Sequence, residues 1–264
     1  MAPGAQLNLF EAWRAGPAAA PGLAREQRMD VKAMSNAELI NLLPQARIHE
    51  SVAIVRQIAR RRLVSGVPAL AALCRRHAGF GRNRVIPEQV AAVKAIGIIG
   101  GEEASKRLAQ LIIRGDIEGP NLKAALRVTV KLGVRLPEPL VMDLLRVDDP
   151  GVRAAAARCV GRWPGCAELL VQLLDDLHKD VRVAAACALA RTGNDTARPI
   201  LLNALGERPS AEVVEAIACI PERTGLVLLG RTATTRRDLA GLIKKILDGI
   251  DDPLAAMIAR RIPS

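Results

Sequence analysis

Asp149-Pro150-Gly151-Val152-Arg153-Ala154-Ala155-Ala156 and Lys179-Asp180-Val181-Arg182-Val183-Ala184-Ala185-Ala186 decide the fold. Each opens with a turn-forming or charged pair. A Val-Arg step follows, and then a run of alanine. Alanine is the best helix former because its side chain loses no entropy in a helix. Proline at Pro150 sits where a helix begins, since the first N–H of a helix has no partner to lose. Apolar residues recur at the helical spacing i, i+3, i+4, i+7, i+8 in both stretches: Val152, Ala155, Ala156, Cys159, Val160, and Val181, Ala184, Ala185, Ala188, Leu189.

Working outward, the same template fits Leu122, Ala125, Leu126, Thr129, Val130, then Gln89, Ala92, Val93, Ile96, Gly97, and begins again at Val213, Ala216, Ile217, Ile220. The starting residues 89, 122, 152, 181 and 213 are spaced by 33, 30, 29 and 32. A period of that size fits one helical hairpin per repeat. A second apolar helix follows each first one, around Leu108–Ile113, Leu140–Leu145, Leu169–Leu174 and Ile200–Leu205. Gly and Pro mark the joints at Gly100-Gly101, Gly119-Pro120, Pro164-Gly165, Gly193 and Pro209. A lone hairpin leaves an apolar face bare, and stacked hairpins cover one another. The expected fold is all-α, a right-handed α-solenoid of about six to seven hairpins over residues 31–264. Helices are also expected over 35–45, 48–77 and 235–262, with Asp251-Asp252-Pro253 as a helix start.

The quoted octapeptides resemble HEAT repeats of the phycobilisome-lyase type, in which a Val-Arg pair opens the first helix and alanines follow. Gly119-Pro120-Asn121-Leu122-Lys123-Ala124-Ala125 is a looser copy, and Val214 stands where the arginine would fall in the repeat at Val213. The resemblance covers roughly 85–220. It implies a fold and no activity, because such repeats serve unrelated tasks.

Residues 1–30 differ in character. Ala15 to Gly22 reads as a Pro/Gly linker. Ahead of it stands Gln6-Leu7-Asn8-Leu9-Phe10, which resembles the Gln-Leu-Ser/Asp-Leu-Phe peptide that docks bacterial polymerases and repair proteins on the DNA sliding clamp. Asn8 departs from that pattern. The resemblance implies that Gln6 supplies amide hydrogen bonds, Leu9 and Phe10 fill an apolar pocket, and Leu7 adds a weaker contact. A second reading stays open: Leu9, Phe10 and Trp13 share a helical face, so the segment folds back to cap the first repeat.

The formal net charge is +11, from 38 basic and 27 acidic residues. A surplus of that sign favours polyanions or acidic partners. Between residues 45 and 85 stand Arg47, Arg56, Arg60, Arg61, Arg62, Arg75, Arg76, Arg82 and Arg84 against the single acid Glu50. Eight of these (Arg56, Arg60, Arg61, Arg62, Arg75, Arg76, Arg82 and Arg84) form the candidate basic patch. Arg56, Arg60 and Arg61 are expected near one helical face, and Arg82-Asn83-Arg84 on a mobile loop after Gly79-Phe80-Gly81. Nucleic acid is the expected ligand, held by sequence-independent, salt-sensitive contacts.

Catalytic signals are absent from the sequence. The histidines are His49, His77 and His178, and His49-Glu50 is a single His-Glu dipeptide where HEAT-like di-iron hydroxylases need several. Cys74, Cys159, Cys166, Cys187 and Cys219 form no Cys-x-x-Cys pair and read as small core residues. No metal or cofactor is expected. Trp163 is read as a packing residue. Some alkylpurine DNA glycosylases are HEAT-like solenoids with a basic face, but Trp163 and Phe80 are the only aromatics in this solenoid for handling a base. The chain is therefore expected to be a non-enzymatic, cytoplasmic adaptor in replication or repair, without membrane contact. Its partners are the bacterial sliding clamp and nucleic acid. The alternatives are a general protein–protein scaffold with no DNA role and a HEAT-like glycosylase.

Overall fold

The computed structural model describes residues 30–161 and 163–262. Among them are fifteen α-helices and no strand. Helix α1 (Asn36–Leu42) precedes seven hairpins. These are α2 (Ile48–Arg60) with α3 (Val67–Arg76), α4 (Pro87–Ile99) with α5 (Gly101–Ile113), and α6 (Gly119–Leu132) with α7 (Glu138–Leu144). Then come α8 (Pro150–Cys159) with α9 (Pro164–Gln172), α10 (Lys179–Ala190) with α11 (Arg198–Glu207), α12 (Ala211–Cys219) with α13 (Arg223–Thr235), and α14 (Arg237–Asp248) with α15 (Pro253–Ala259). The first helix of every hairpin packs on the first helix of the next, from α2 through to α14. The result is an all-α solenoid.

The alanine runs explain how the first helices approach so closely. Ala154 to Ala157 in α8 and Ala184 to Ala190 in α10 are buried, so small side chains form the seam on more than one side. Most template positions are buried, as the periodicity implies; Leu122, Cys159 and Val160 are only partly buried, and Val130 is exposed because α6 turns it out of the seam. At the repeat beginning with Val213, however, Val213 and Val214 are both buried, and no arginine is needed at the second position.

The arginine of the Val-Arg step has a defined task. Arg153 Nη1 donates to the carbonyls of Val147 and Asp148, both at 2.8 Å. Arg182 Nη1 donates to the carbonyls of Asp176 and Leu177 at 2.7 and 3.1 Å. In each case the acceptors lie six and five residues upstream, in the loop that enters the helix. Each guanidinium thus folds its own repeat's entry loop onto the first helix. Arg153 also reaches the next repeat, where it grips the Asp176 carboxylate through Nε and Nη2.

The acidic pairs at the repeat boundaries are structural. Asp149 accepts from the N–H groups of Gly151 and Val152 at the start of α8, and Asp252 does the same for Leu254 and Ala255 in α15. These are N-caps that satisfy otherwise orphaned donors. The helices expected over 48–77 form one hairpin, α2 and α3. The helical run breaks at Arg62, whose φ of +51 places it in the left-handed region, before a 3-10 turn at Val64–Gly66. Trp163 is half-buried against the core. No described helix is long and apolar enough to cross a membrane.

Candidate polyanion-binding face

The structure divides the eight arginines of the sequence-defined patch. Arg61 is spent on internal hydrogen bonds. Its Nη1 donates to the Met34 carbonyl and the Asn36 Oδ1, both at 2.8 Å, and its Nη2 donates to the Lys32 carbonyl at 2.9 Å. It fastens the segment before α1 to the end of α2, and it does not join Arg56 and Arg60 as a free cation. Arg62 holds the left-handed corner. Arg76 donates to the Pro44 carbonyl at 3.0 Å, and with Arg75 it ends the second helix α3, away from the first-helix layer.

The loop carrying Arg82 and Arg84 is tied down, contrary to its glycine-rich reading. Asn121, buried at the start of α6, accepts from the Ile86 N–H at 2.8 Å and donates to the carbonyls of Arg84, Gly81 and Glu118 at 3.0, 3.3 and 3.4 Å. Gly119 completes the closure. It has φ +52, and a Cβ there would lie 2.1 Å from the Arg82 carbonyl oxygen. Arg82 lies 3.6 Å from Glu118, and Arg84 donates to the Phe80 carbonyl at 3.3 Å. The loop backbone is fixed by the fold, while Arg82 is 81% exposed beside Glu118 and Arg84 has no carboxylate partner.

Arg56 and Arg60 remain, exposed on α2 with no hydrogen bond or ion pair, and the structure supplies partners for them that charge counting missed. The buried residues of α2 are Ser51, Ile54, Val55, Ile58 and Ala59, the same spacing as Gln89, Ala92, Val93, Ile96 and Gly97 in α4. Counting five residues on from Ser51, Gln89 and Leu122 gives Arg56, Lys94 and Arg127. All three are exposed, and none pairs with a carboxylate. Because α2, α4 and α6 stack in one layer, the three cations form a ladder across it. Packed helices lie about 8–10 Å apart, which sets the rung spacing. The signal was in the sequence: a fixed offset within aligned repeats, invisible to a window of total charge.

The rungs end at α8 and α10, where the equivalent residues are Ala157 and Ala186, both buried. Beside α6 a second group of cations lies with the acid Asp180. A cavity of about 560 Å³ there is lined by Lys123, Arg127 and Arg208, none ion-paired, with Arg158 and Lys179. The last two are neutralised, Arg158 by Glu212 at 2.9 Å and Lys179 by Glu207. The uncompensated charge on this face is thus concentrated at the N-terminal half.

Elsewhere among the described residues, titratable side chains serve structural roles. Among the described residues no three His, Cys, Asp or Glu side chains converge as a metal site would need. Glu50 accepts the Arg47 N–H at 2.9 Å, so the carboxylate of the His49-Glu50 dipeptide caps a helix. His178 lies beside Asp176, which accepts its backbone N–H at 2.8 Å. Burial pushes the thiols of Cys74, Cys159 and Cys187 up to about 12, the opposite of an activated thiolate. Gln6, Leu7, Leu9 and Phe10, the Ala15–Gly22 linker and the rest of residues 1–29 lie outside the described residues.

Residues 137–220, from α7 through α12, match a family model described as HEAT repeats. No curated protein matches the chain.

Proposed function

We propose that this HEAT-like solenoid is a non-catalytic binding scaffold whose first-helix layer takes the phosphate backbone of nucleic acid. We further propose that Gln6, Leu7, Leu9 and Phe10 tether it to a bacterial sliding clamp. The observation that carries the nucleic-acid reading is the ladder Arg56, Lys94 and Arg127: three unpaired cations at equivalent positions on three stacked helices. A polyanion presents charge continuously along its length, so a regular row of cations meets it without needing a particular sequence. The net charge of +11 adds long-range attraction. The clamp reading rests on the peptide itself, a short apolar anchor followed by a Pro/Gly linker.

Fluorescence anisotropy of the full chain with a labelled duplex oligonucleotide tests the first part. Affinity is expected to fall steeply as salt rises from about 50 to 200 mM, equally for unrelated sequences. Replacing the ladder (Arg56→Glu, Lys94→Glu, Arg127→Glu) is expected to flatten the slope of log K against log salt by about 0.9 for each phosphate that is no longer neutralised. Absence of binding at low salt, or an unchanged slope in the triple variant, refutes the nucleic-acid reading. Arg61→Glu is unsuitable as a probe, because it breaks three internal hydrogen bonds.

The clamp is tested separately with a labelled peptide of residues 1–16 and purified bacterial sliding clamp. Saturable binding in the micromolar range is expected. It should vanish when Gln6, Leu9 and Phe10 become Ala, and no binding by the native peptide removes the clamp.

A further inference from the structure

Between α2 and α4, at the N-terminal end of the ladder, lies a groove of about 550 Å³ with an apolar floor and a basic rim. Val52, Val90 and Ile98 belong to the floor, and Arg56, Arg60 and Lys94 to the rim. Ile98 is 45% exposed and Val85, at the edge, 58%. Phosphate binding explains the rim and leaves the floor unexplained. Apolar surface gathered in a concavity is a docking feature.

We propose that the groove is filled by this chain's own segment Leu7–Trp13, which seats Leu9, Phe10 and Trp13 on the floor and Glu11 against the rim. The path of the chain supports this occupant. Arg61 binds the carbonyls of Lys32 and Met34, which holds the first described residues at the C-terminal end of α2. The neighbouring Arg60 lines the groove. The polypeptide therefore enters the solenoid at the groove's edge. Sixteen residues separate Trp13 from Asp30, and such a length of chain spans up to about 60 Å, far more than the distance needed. Charge agrees as well: Glu11 is the only acid among the first 25 residues, and it sits inside the apolar segment. A tethered ligand needs little intrinsic affinity, because its effective concentration is high.

This contact stands apart from the clamp and nucleic-acid readings, and it competes with both. The segment uses the same Leu9 and Phe10 that the clamp would take, and it covers two rungs of the ladder. A partner that removes the segment thereby uncovers the basic face.

The test is ¹⁹F NMR of the full chain labelled with 5-fluorotryptophan. It has two signals, from Trp13 and Trp163, assigned through Trp13→Phe. A soluble paramagnetic chelate broadens solvent-exposed signals. The Trp13 signal is expected to be protected in the native chain and to become strongly broadened in Ile98→Glu. The Trp163 signal, far from the groove, should stay unchanged in that variant and so report an intact fold. Three outcomes overturn the proposal. Trp13 is as exposed in the native chain as in the variant; or its protection survives both Ile98→Glu and Val90→Glu, which places the segment elsewhere; or its protection disappears on dilution, which makes a second copy the donor.

Discussion

Arg153→Ala is expected to destabilise the solenoid by about 3 kcal/mol, because it removes one partner of a buried ion pair and leaves the Asp176 carboxylate with no guanidinium and only His178 beside it. The guanidinium is 15% exposed and the Asp176 carboxylate 8%. Four hydrogen bonds go with the side chain, two to Asp176 and two to the carbonyls of Val147 and Asp148. Urea unfolding followed by far-UV circular dichroism measures the loss. Arg182→Ala is the internal comparison. Arg182 makes the same two loop contacts but grips no carboxylate, so its removal should cost about half as much. Equal losses in the two variants would show that the inter-repeat pair contributes nothing beyond the loop contacts.

The pair also sets a pH dependence. Burial alone would raise the Asp176 pKa; the His178 N–H and the Arg153 guanidinium outweigh burial and hold it below the ordinary aspartate value. A carboxyl whose pKa is depressed by folding contributes stability that is complete above its unfolded pKa, about 3.9. That contribution is lost as the pH falls through the folded value. The stability gap between the native chain and Arg153→Ala should therefore be constant near neutrality and close in acid, below about pH 4. A gap that persists undiminished at lower pH would mean that Asp176 is not the partner that matters.

What was legible in the sequence is what repeats at short range. The Val-Arg step and the alanine run mark a first helix because the apolar period, the small residues and the arginine's reach to its own entry loop all lie within about twelve residues. Proline at Pro87, Pro120 and Pro150 marks helix starts for a similarly local reason, and each falls in the first turn. Arg61 was not legible. Its acceptors include the carbonyls of Lys32 and Met34, and backbone carbonyls carry no signature in a sequence. Nor was the break at Arg62, where no glycine announces the left-handed residue. Lys94 and Arg127 stand in the sequence as isolated cations. They become a pattern only when the repeats are aligned on their core positions, which puts them level with Arg56. Counting charge by window drew attention to Arg75 and Arg76, which belong to the other layer.

Asn121→Leu is expected to cost about 3 kcal/mol and, beyond stability, to free the loop that carries Arg82 and Arg84. The sequence around it, Gly119-Pro120-Asn121, reads as an ordinary helix start. In the fold its side chain is 1% exposed and serves four backbone groups. Leucine has the same branched outline but bulkier methyl groups, so some crowding adds to the lost hydrogen bonds. The Ile86 N–H and the carbonyls of Gly81 and Arg84 lose their partner, and each buried group left unsatisfied costs about 1–3 kcal/mol. Relaxation of the loop into water recovers part of that sum, which is why the expected loss is well below the total. Two readouts separate the stability effect from the loop's release. Urea unfolding gives the former. Hydrogen exchange at Ile86, protected by the Asn121 Oδ1 in the native chain, should accelerate far more than exchange in α10, three repeats' first helices away from the α4 entry. If the loop instead stays as protected as α10, its order comes from Gly119 and the close approach of the Arg82 carbonyl. The two arginines would then remain fixed without the amide. In the variant with a freed loop, Arg82 leaves Glu118 and becomes uncompensated, and Arg84, which has no carboxylate partner to begin with, is released from the Phe80 carbonyl. The variant's nucleic-acid affinity at low salt should then rise while its stability falls, a combination that damage to the fold alone does not produce.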